Sequence, residues 1–435
     1  MNTTSLKIGA VSLGCSKNTV DTEIMLGELS NYGFTIVSDA AAADIIIVNT
    51  CGFIDSAKQD SIDTIIEMAE YKKHGHCRFL VVTGCLSQRY PKELREELPE
   101  VDMFWGVKNY PAFAHELANR FELTGCGNLS HRMLTTPGYR AYLRIADGCD
   151  NRCTYCAIPL IRGSRISVPI ETLLDEAKTL AGGGVTELTV IAQDTSAYGI
   201  DLYGEPRLVQ LLNELAKIEK LHWIRLLYTY PNTVTEELID TMQANPKICN
   251  YIDMPIQHIS ENMLHSMNRH GSAQHIREIT DYIRKNAPDF ILRTTVMLGF
   301  PGETEQDFDE LMEFMHNHPF DRVGAFTYSA EDNTPASEME NQIDERIKEE
   351  RLDAIMRMQQ RISLKSNQNR IGSHCEVLIE SIDGNTAYGR SYAEAADVDG
   401  LIAIELENDL PHPGDYVTVE ITDAGVYDLK GRIIK

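Results

Sequence analysis

Apolar segments of strand length alternate with helically patterned segments over the first 125 residues of the chain. The strand-like segments are continuous in Val, Ile and Leu, as in a sheet that is buried on both faces. The predicted strands span 6–13, 44–49 and 79–83, and the predicted helices span 19–32, 56–71 and 92–98. Ser56 is a suitable N-cap for the second helix. This alternation predicts an open parallel α/β sheet.

Strand and helix patterns then alternate six times as far as residue 330. The six strands are expected near 141–146, 187–193, 223–229, 251–256, 291–298 and 323–328. Helical patterns lie between them, for example over 170–181 and 234–243. Six such units predict a partial (β/α)6 barrel, related to the eight-fold barrel, with its chemistry at the mouth formed by the C-terminal ends of the strands.

The pattern changes again towards the C-terminus. A charged amphipathic helix is predicted over 344–366, and from Cys375 onward short alternating strands are separated by Asp-Gly and Pro-Gly turns. These turns and strands predict a small antiparallel β-barrel. The fold class is therefore α/β, and we expect three domains: 6–125, 135–370 with its linker helix, and 373–435.

The chain is strongly acidic, because 40 Lys and Arg residues oppose 65 Asp and Glu residues for a formal net charge of −25. This charge argues against a protein that binds nucleic acid mainly by neutralising phosphates, and it suits a basic protein partner. No segment approaches the roughly 18 apolar residues that span a bilayer. The apolar stretch at 8–15 is too short for a secretory signal, so we expect a cytoplasmic protein.

Three of the ten cysteines follow predicted strands of the N-terminal sheet, since Cys15, Cys51 and Cys85 each come just after a strand's C-terminal end. Such ends share one edge of a parallel sheet, where ligands bind, and we therefore expect the three thiols to converge. The alternative is that each cysteine is a small buried residue in a strand-to-helix turn. Cys77 precedes its strand and is expected at the opposite edge.

The spacing Cys149-x3-Cys153-x2-Cys156 lies in the loop after the first strand of the predicted barrel. Three thiolates in one loop can bind three irons of a [4Fe–4S] cluster and leave the fourth iron without a protein ligand. A structural zinc site needs a fourth cysteine or histidine nearby, and residues 157–162 contain neither. We therefore expect an iron–sulfur cluster at this loop.

This motif resembles that of the radical S-adenosylmethionine (SAM) superfamily, and residues 147–163 are similar to those of its methylthiotransferase family. The segments Leu-Gly-Cys-Ser, Asn-Thr-Cys-Gly and Thr-Gly-Cys-Leu match the three N-terminal cysteines of that family, and the resemblance covers essentially the whole chain. It implies that Cys15, Cys51 and Cys85 bind a second [4Fe–4S] cluster. It also implies that SAM serves both as methyl donor and as source of a 5′-deoxyadenosyl radical, and that the C-terminal barrel is a TRAM-type domain for substrate recognition.

The same resemblance implies contacts to SAM, but it assigns no catalytic residue. Tyr155 is expected against the adenine, with ordinary loop packing as the alternative. Gln193 and Asp194 end the second barrel strand, where the superfamily binds the amino end of SAM, although the Gly-Gly-Glu sequence usual there is absent. Gly299 follows the fifth strand and is expected near the ribose, with a tight turn as the alternative.

The family has one branch that modifies an adenosine base of tRNA and another that modifies an aspartate of ribosomal protein S12. Residues 371–435 contain 13 Asp and Glu residues and 4 Lys and Arg residues, a balance that repels phosphate and attracts a basic protein. Residues 389–400 also resemble the barrel of the ribosomal-protein branch. We therefore expect methylthiolation of the aspartate β-carbon in S12.

Two other functions stay open at this point. A tRNA adenosine methylthiotransferase requires a basic path for RNA, and a non-catalytic iron–sulfur carrier or adaptor would have no use for a cluster with one open iron.

The reaction needs a reductant protein and a sulfur donor as further partners. Four arginines near the expected mouth are candidates to bind the substrate carboxylate or to form structural ion pairs: Arg162, Arg165, Arg225 and Arg293.

Overall fold

The structure is a computed structural model that describes residues 6–125, 132–406 and 411–434. Residues 407–410 and 435 of the predicted C-terminal barrel and one of the ten cysteines, Cys126, lie outside the described residues. The described chain forms three bodies in sequence: a five-stranded sheet, a six-stranded sheet and a closed five-stranded barrel.

The N-terminal sheet is parallel throughout, in the order β2-β1-β3-β4-β5. Its strands are β1 (Lys7–Ser12), β2 (Thr35–Val37), β3 (Ile45–Thr50), β4 (Phe79–Gly84) and β5 (Met103–Phe104), and its helices are α1 (Ser16–Asn31), α2 (Asp55–His74), α3 (Cys85–Arg89), α4 (Glu93–Glu97) and α5 (Tyr110–Arg120). Every residue of β3 is buried, because Ile45 and Ile47 pack into one core and Ile46 and Val48 into the other.

The sequence analysis missed four elements of this domain: β2, β5, α3 and α5. Strands β2 and β5 have only three and two residues, too few to show a periodic pattern. The prediction that Ser56 caps α2 is wrong. The helix begins one residue earlier, at Asp55, with Ile54 at the N-cap and no side-chain cap.

The central domain contains a parallel sheet in the order β13-β12-β11-β10-β9-β6, together with a short antiparallel pair of strands, β7 and β8. Its strands are β6 (Arg140–Arg144), β7 (Ala146–Asp147), β8 (Ile166–Ser167), β9 (Glu187–Ile191), β10 (Trp223–Leu226), β11 (Ile248–Asp253), β12 (Ile291–Leu298) and β13 (Arg322–Thr327). Its helices are α6 (Ile158–Ile161), α7 (Ile170–Gly182), α8 (Ile200–Tyr203), α9 (Leu208–Leu215), α10 (Glu236–Ala244), α11 (Glu261–Ser266), α12 (Ala273–Asn286), α13 (Glu305–Asn317) and α14 (Glu345–Gln368).

All six predicted units of the partial barrel are present, with β6 and β13 as its two edges. The strand faces directed at the helices build the largest core of the molecule. The opposite strand faces, with Tyr142 and Trp223, pack against side chains from both neighbouring domains, among them Val20 of α1 and Leu378 and Ala393 of the C-terminal domain. The flanking domains therefore fill the interior of the open barrel.

The C-terminal domain closes in the order β14-β15-β16-β18-β17. Its strands are β14 (His374–Asp383), β15 (Thr386–Arg390), β16 (Ile402–Glu405), β17 (Tyr416–Ala424) and β18 (Leu429–Ile433). The predicted antiparallel pairing needs one correction, because β16 and β18 run parallel. No helix among the described residues has the length and apolar content needed to cross a membrane.

Candidate iron–sulfur and SAM site

Six cysteines lie where the N-terminal domain meets the mouth of the barrel. We name them the auxiliary triad (Cys15, Cys51 and Cys85) and the core triad (Cys149, Cys153 and Cys156). The auxiliary triad follows strands β1, β3 and β4 of the N-terminal sheet, and the core triad lies between β7 and α6 of the central domain. Cys77 precedes β4 at the opposite edge of the sheet, as predicted.

The loop of the core triad is closed by a backbone hydrogen bond, in which the Cys149 N–H donates to the Gly163 carbonyl (3.0 Å). Gly148 makes this closure possible. Its φ is +78°, and a Cβ at this position would lie 2.2 Å from the carbonyl oxygen of Ser164. The loop is thus held in one conformation by backbone contacts that only glycine permits.

The auxiliary triad converges, as the sheet topology predicted. The turn before Cys15 packs directly on Cys51, since a Cβ at Gly14 would lie 3.0 Å from the Cys51 sulfur. Cys85 begins α3, and the Cys15 and Cys51 sulfurs are among the charges that act on it. The backbone N–H of Cys51 donates to Ser61 Oγ of α2 (3.0 Å). Three strand ends therefore bring three distant cysteines together.

Each triad fits an iron–sulfur cluster in its donor chemistry. Burial raises the pKa of Cys85 and of Cys156 to about 12, and a bound metal is the usual way to keep such a buried thiol deprotonated. Within the described residues, no three Cys, His, Asp or Glu side chains are close enough to share one metal ion. A [4Fe–4S] cluster does not need such a shared site, because each of its thiolate ligands binds a different iron.

The chain segments that follow the two triads are in direct contact. Cys85 is buried in a small cluster with Ala157 and Ile161, which follow Cys156 in the chain. Arg162, the next residue, places Nη2 at 3.8 Å from the Cys85 sulfur. The first helices after each triad, α3 and α6, therefore pack against each other.

Three family models match consecutive parts of the chain. The model described as Uncharacterized protein family UPF0004 matches residues 7–106, the Radical SAM superfamily matches residues 143–315, and the TRAM domain matches residues 371–434. A relative from Clostridioides difficile (strain 630), named ribosomal protein uS12 methylthiotransferase RimO, is 48% identical over 440 residues and covers 99% of each chain. A relative of the same name from Geobacter sulfurreducens is 47% identical and covers 100% of each chain.

This chain belongs to the RimO family. Among solved structures, the radical SAM methyltransferase TsrM from Kitasatospora setae has a TM-score of 0.53 at 12% identity, covering 74% of this chain and 72% of its own. The cobalamin-dependent SAM radical enzyme OxsB with aqua-cobalamin bound has a TM-score of 0.50 at 12% identity, covering 77% of this chain and 55% of its own. These likenesses concern the fold alone. Together with the family models they confirm the predicted fold class.

Gln193 and Asp194 lie at the mouth of the barrel, beside the loop of the core triad. Gln193 Nε2 donates to Asp147 Oδ1 (3.1 Å), whereas its buried Oε1 has no hydrogen-bond partner among the described residues. Both carboxylate oxygens of Asp194 already accept hydrogen bonds, one from Asn151 (2.9 Å) and the other from Ser196 (2.9 Å). Gln193 thus has an unpaired acceptor among the described residues. Contacts of Gln193 and Asp194 with the amino end of SAM stay predictions.

Tyr155 and Gly299 lie on other sides of the same mouth. The Tyr155 hydroxyl accepts a hydrogen bond from Arg269 (3.0 Å), and its ring packs at the edge of the cluster around Phe300. The N–H of Gly299 donates to Glu303 within its own turn. A Cβ at Gly299 would lie 2.2 Å from Cγ of a lysine on α14, so packing alone requires glycine there. Contacts of Tyr155 with adenine and of Gly299 with ribose stay predictions.

The four candidate arginines all have partners in the structure. Arg162 pairs with Asp21 (2.7 Å), Arg165 donates to a backbone carbonyl (2.6 Å), and Arg293 pairs with Asp253 (2.7 Å). The expectation that Arg225 lies near the mouth is wrong. It pairs with the first residue of β9 (3.1 Å), at the end of the barrel that faces the C-terminal domain.

Sequence reasoning missed one cation of this site, Lys17. It lies two residues after Cys15, in the first turn of α1, and its ammonium group is 2.8 Å from the centre of the Tyr228 ring. The only signal in the sequence is a single lysine beside a cysteine. Its burial depends on the approach of a distant loop, which the helix pattern does not reveal.

Proposed function

We propose that this chain is a radical SAM methylthiotransferase that adds a methylthio group to the β-carbon of an aspartate of ribosomal protein uS12. The observation that carries this proposal is the meeting of the two cysteine triads at one barrel mouth. Inserting sulfur at an unactivated C–H bond requires a hydrogen-abstracting group and a sulfur source to be held close together, which is a problem of proximity. Membership of the RimO family supports the substrate.

In this proposal each triad holds one [4Fe–4S] cluster, and SAM binds beside the core triad. When bound, the clusters and SAM supply the radical chemistry, the methyl group and the sulfur. Gln193 orients the amino end of SAM through its free Oε1, Tyr155 packs on the adenine and Gly299 borders the ribose. Arg162 pairs with Asp21 of the N-terminal domain (2.7 Å) and with Asp147 of its own domain (3.0 Å), and so holds the two domains together beside the site.

We propose that residues 373–435 recognise the substrate. Some acidic side chains of this domain form ion pairs within the protein, and others are exposed. Five of its acidic side chains pair with arginines at domain interfaces or within the domain: Glu380, Glu394, Asp397, Asp399 and Glu420. Others are exposed and can meet a basic protein: Asp383, Glu405, Asp415, Asp423 and Asp428. The exposed acidic residues alone support a basic partner such as uS12 less strongly than the total number of acidic residues in the domain does.

The test is methylthiolation of uS12 by anaerobically reconstituted enzyme supplied with SAM, a reductant and sulfide. We expect mass spectrometry of the digested product to find CH3S in place of one hydrogen on an aspartate-containing peptide. The control is the enzyme with alanine at all three core cysteines, which should give no product. A product found only when tRNA replaces uS12 would overturn the substrate. SAM cleavage without any acceptor product would leave no support for sulfur transfer.

A further inference from the structure

We infer that Lys17 binds the side-chain carboxylate of the substrate aspartate and so positions its β-carbon between the two cysteine triads. This inference rests on the proposed function and names a residue that orients the substrate. Lys17 is a positioning residue, since the bond that changes is at the neighbouring carbon. Its evidence is a buried cation without an anionic partner at the junction of the two domains.

The ammonium group of Lys17 is nearly enclosed. The residue is 6% exposed, and Nζ lies 2.8 Å from the centre of the Tyr228 ring. Among residues 6–125, 132–406 and 411–434 the structure gives Nζ no ion pair and no hydrogen bond. A lysine carries three N–H donors, and a buried charge is costly unless it is paired. The ring face satisfies one side of the ammonium group and leaves its donors available to an anion.

The carboxylates near Lys17 already form ion pairs with arginines. The strongest charge acting on Lys17 is that of the Cys15 sulfur, a candidate iron ligand, and the carboxylates of Asp253 and Asp147 act on it as well. Asp253 is bound by Arg293 (2.7 Å) and by the Tyr228 backbone N–H (3.0 Å). Asp147 is bound by Arg162 (3.0 Å). Each of these carboxylates therefore has its own counter-charge, and Lys17 is the cation that remains for an incoming carboxylate.

The backbone beneath Lys17 is strained in a way that maintains this arrangement. Tyr228 has a φ of +61°, which is unfavourable for a bulky residue and persists only where the surroundings enforce it. Here Asp253 holds the Tyr228 N–H, and the Tyr228 hydroxyl lies 3.3 Å from Ser16 Oγ. The ring is thereby fixed under Lys17 by contacts from both domains.

The position of Lys17 suits an aspartate in particular. It lies on the same helical turn as the exposed Cys15 of the auxiliary triad, and Arg162, beside the core triad, also acts on it. A carboxylate held by Lys17 places the adjacent β-carbon between the two sulfur-bearing loops.

The test measures binding of two forms of uS12 to reconstituted enzyme, one natural and one with asparagine in place of the modified aspartate. We expect Lys17→Met to weaken binding of natural uS12 roughly 10- to 100-fold, the range for a lost hydrogen bond to a charged group. The asparagine form should bind wild type and Lys17→Met about equally, because it has no carboxylate to lose. Iron content and SAM affinity should not change.

The matched control is Lys58→Met. Lys58 also lies in the N-terminal domain and near a tyrosine ring, at 5.6 Å from the centre of Tyr90, but it pairs with Asp55 (2.5 Å) and Glu331 (3.0 Å). Its replacement should leave the affinity for both forms of uS12 unchanged.

Equal weakening of both forms of uS12 by Lys17→Met would overturn the inference, and so would a loss of SAM affinity with uS12 binding intact. If Lys17→Met loses iron, Lys17→Gln replaces it, and loss of iron there too would assign Lys17 to folding or cluster binding. These failures differ from failure of the proposed function, in which wild-type enzyme itself does not modify uS12.

Discussion

The guanidinium group of Arg162 lies 3.8 Å from the sulfur of Cys85 and joins two domains that are each built on a separate parallel sheet. The same group donates to Asp21 (2.7 Å) and Asn18 (2.9 Å) in the N-terminal domain and to Asp147 (3.0 Å) in the central domain. It is 2% exposed. Asp21 and the other nearby anions outweigh the effect of burial and raise the pKa of Arg162, so its charge is permanent.

Replacing Arg162 by glutamine should make the reduction potential of the auxiliary cluster more negative. A positive charge and an N–H donor near a ligand sulfur stabilise the reduced cluster, and their loss favours the oxidised one. A redox titration followed by electron paramagnetic resonance measures the shift. Breaking this buried network should also cost about 3–5 kcal/mol of stability.

Arg144→Gln is the control for Arg162→Gln. Arg144 pairs with the same Asp21 but has no hydrogen bond to Cys85 in the structure. We expect Arg144→Gln to lower stability without moving the potential of the auxiliary cluster. An equal shift in both variants would mean that the potential responds to Asp21 or to domain packing rather than to the contact between Arg162 and the sulfur.

Iron and acid-labile sulfide should reach about eight atoms of each per chain after anaerobic reconstitution, because two [4Fe–4S] clusters are expected. Replacing all three core cysteines with alanine should lower both numbers to about four, and so should replacing all three auxiliary cysteines. Cys77→Ala, a buried cysteine at the far edge of the sheet, should retain about eight. A wild-type value of about four that falls to none in the core variant would leave the auxiliary triad without a cluster. The chain would then be a simpler radical SAM enzyme.

Glu187 should stabilise the docked C-terminal domain in a pH-dependent way. It is buried between Arg390 (2.6 Å) and Arg225 (3.1 Å). Burial by itself raises the pKa of Glu187, but the two arginines outweigh it and lower the pKa from 4.5 to about 2. A carboxyl group of this kind stabilises the fold above its unfolded pKa and loses that contribution as the pH falls through the folded pKa.

Glu187→Gln should therefore cost about 3–5 kcal/mol at neutral pH, as expected for a broken buried ion pair, and the cost should shrink as the pH falls from 4.5 towards 2. Denaturant unfolding of the cluster-free chain at several pH values measures this difference. Glu116→Gln, in the exposed pair with Arg120 (3.2 Å), should change stability by no more than about 0.5 kcal/mol. A cost for Glu187→Gln that does not vary with pH would contradict the assignment.

Reversing two exposed charges of the C-terminal barrel should slow the association of uS12. Asp383 and Glu405 both lie opposite Thr386 in the strand register and are exposed. Replacing both with lysine should lower the association rate roughly 10-fold or more at low salt, and the effect should fade at high salt. Stopped-flow binding at several salt concentrations measures it. The control is Asp63→Lys with Glu67→Lys on the exposed face of α2, and a similar loss there would assign the effect to net charge alone.

Local patterns in the sequence were sufficient to predict most of the fold. The six barrel strands and the linker helix were found because each is a continuous segment with a clear apolar pattern. Strand β2, with three residues, and α3, which begins at a cysteine of the triad, gave no such pattern. The N-cap of α2 was misplaced at Ser56, because propensity favours serine there while the incoming chain fixes the start of the helix at Asp55.

The sequence by itself determined the six cysteines, their grouping into two triads and the meeting of the auxiliary triad, because parallel strands end at one edge of a sheet. Only the tertiary structure decided which charged groups are free at the site. Ser16 and Tyr228 are 212 residues apart in the chain, and no local pattern predicts that a ring will lie under Lys17. The same holds for Arg225, whose position at the far end of the barrel depends on Glu187. Pairing and burial of charges depend on which distant elements approach each other, whereas strand and motif patterns are local.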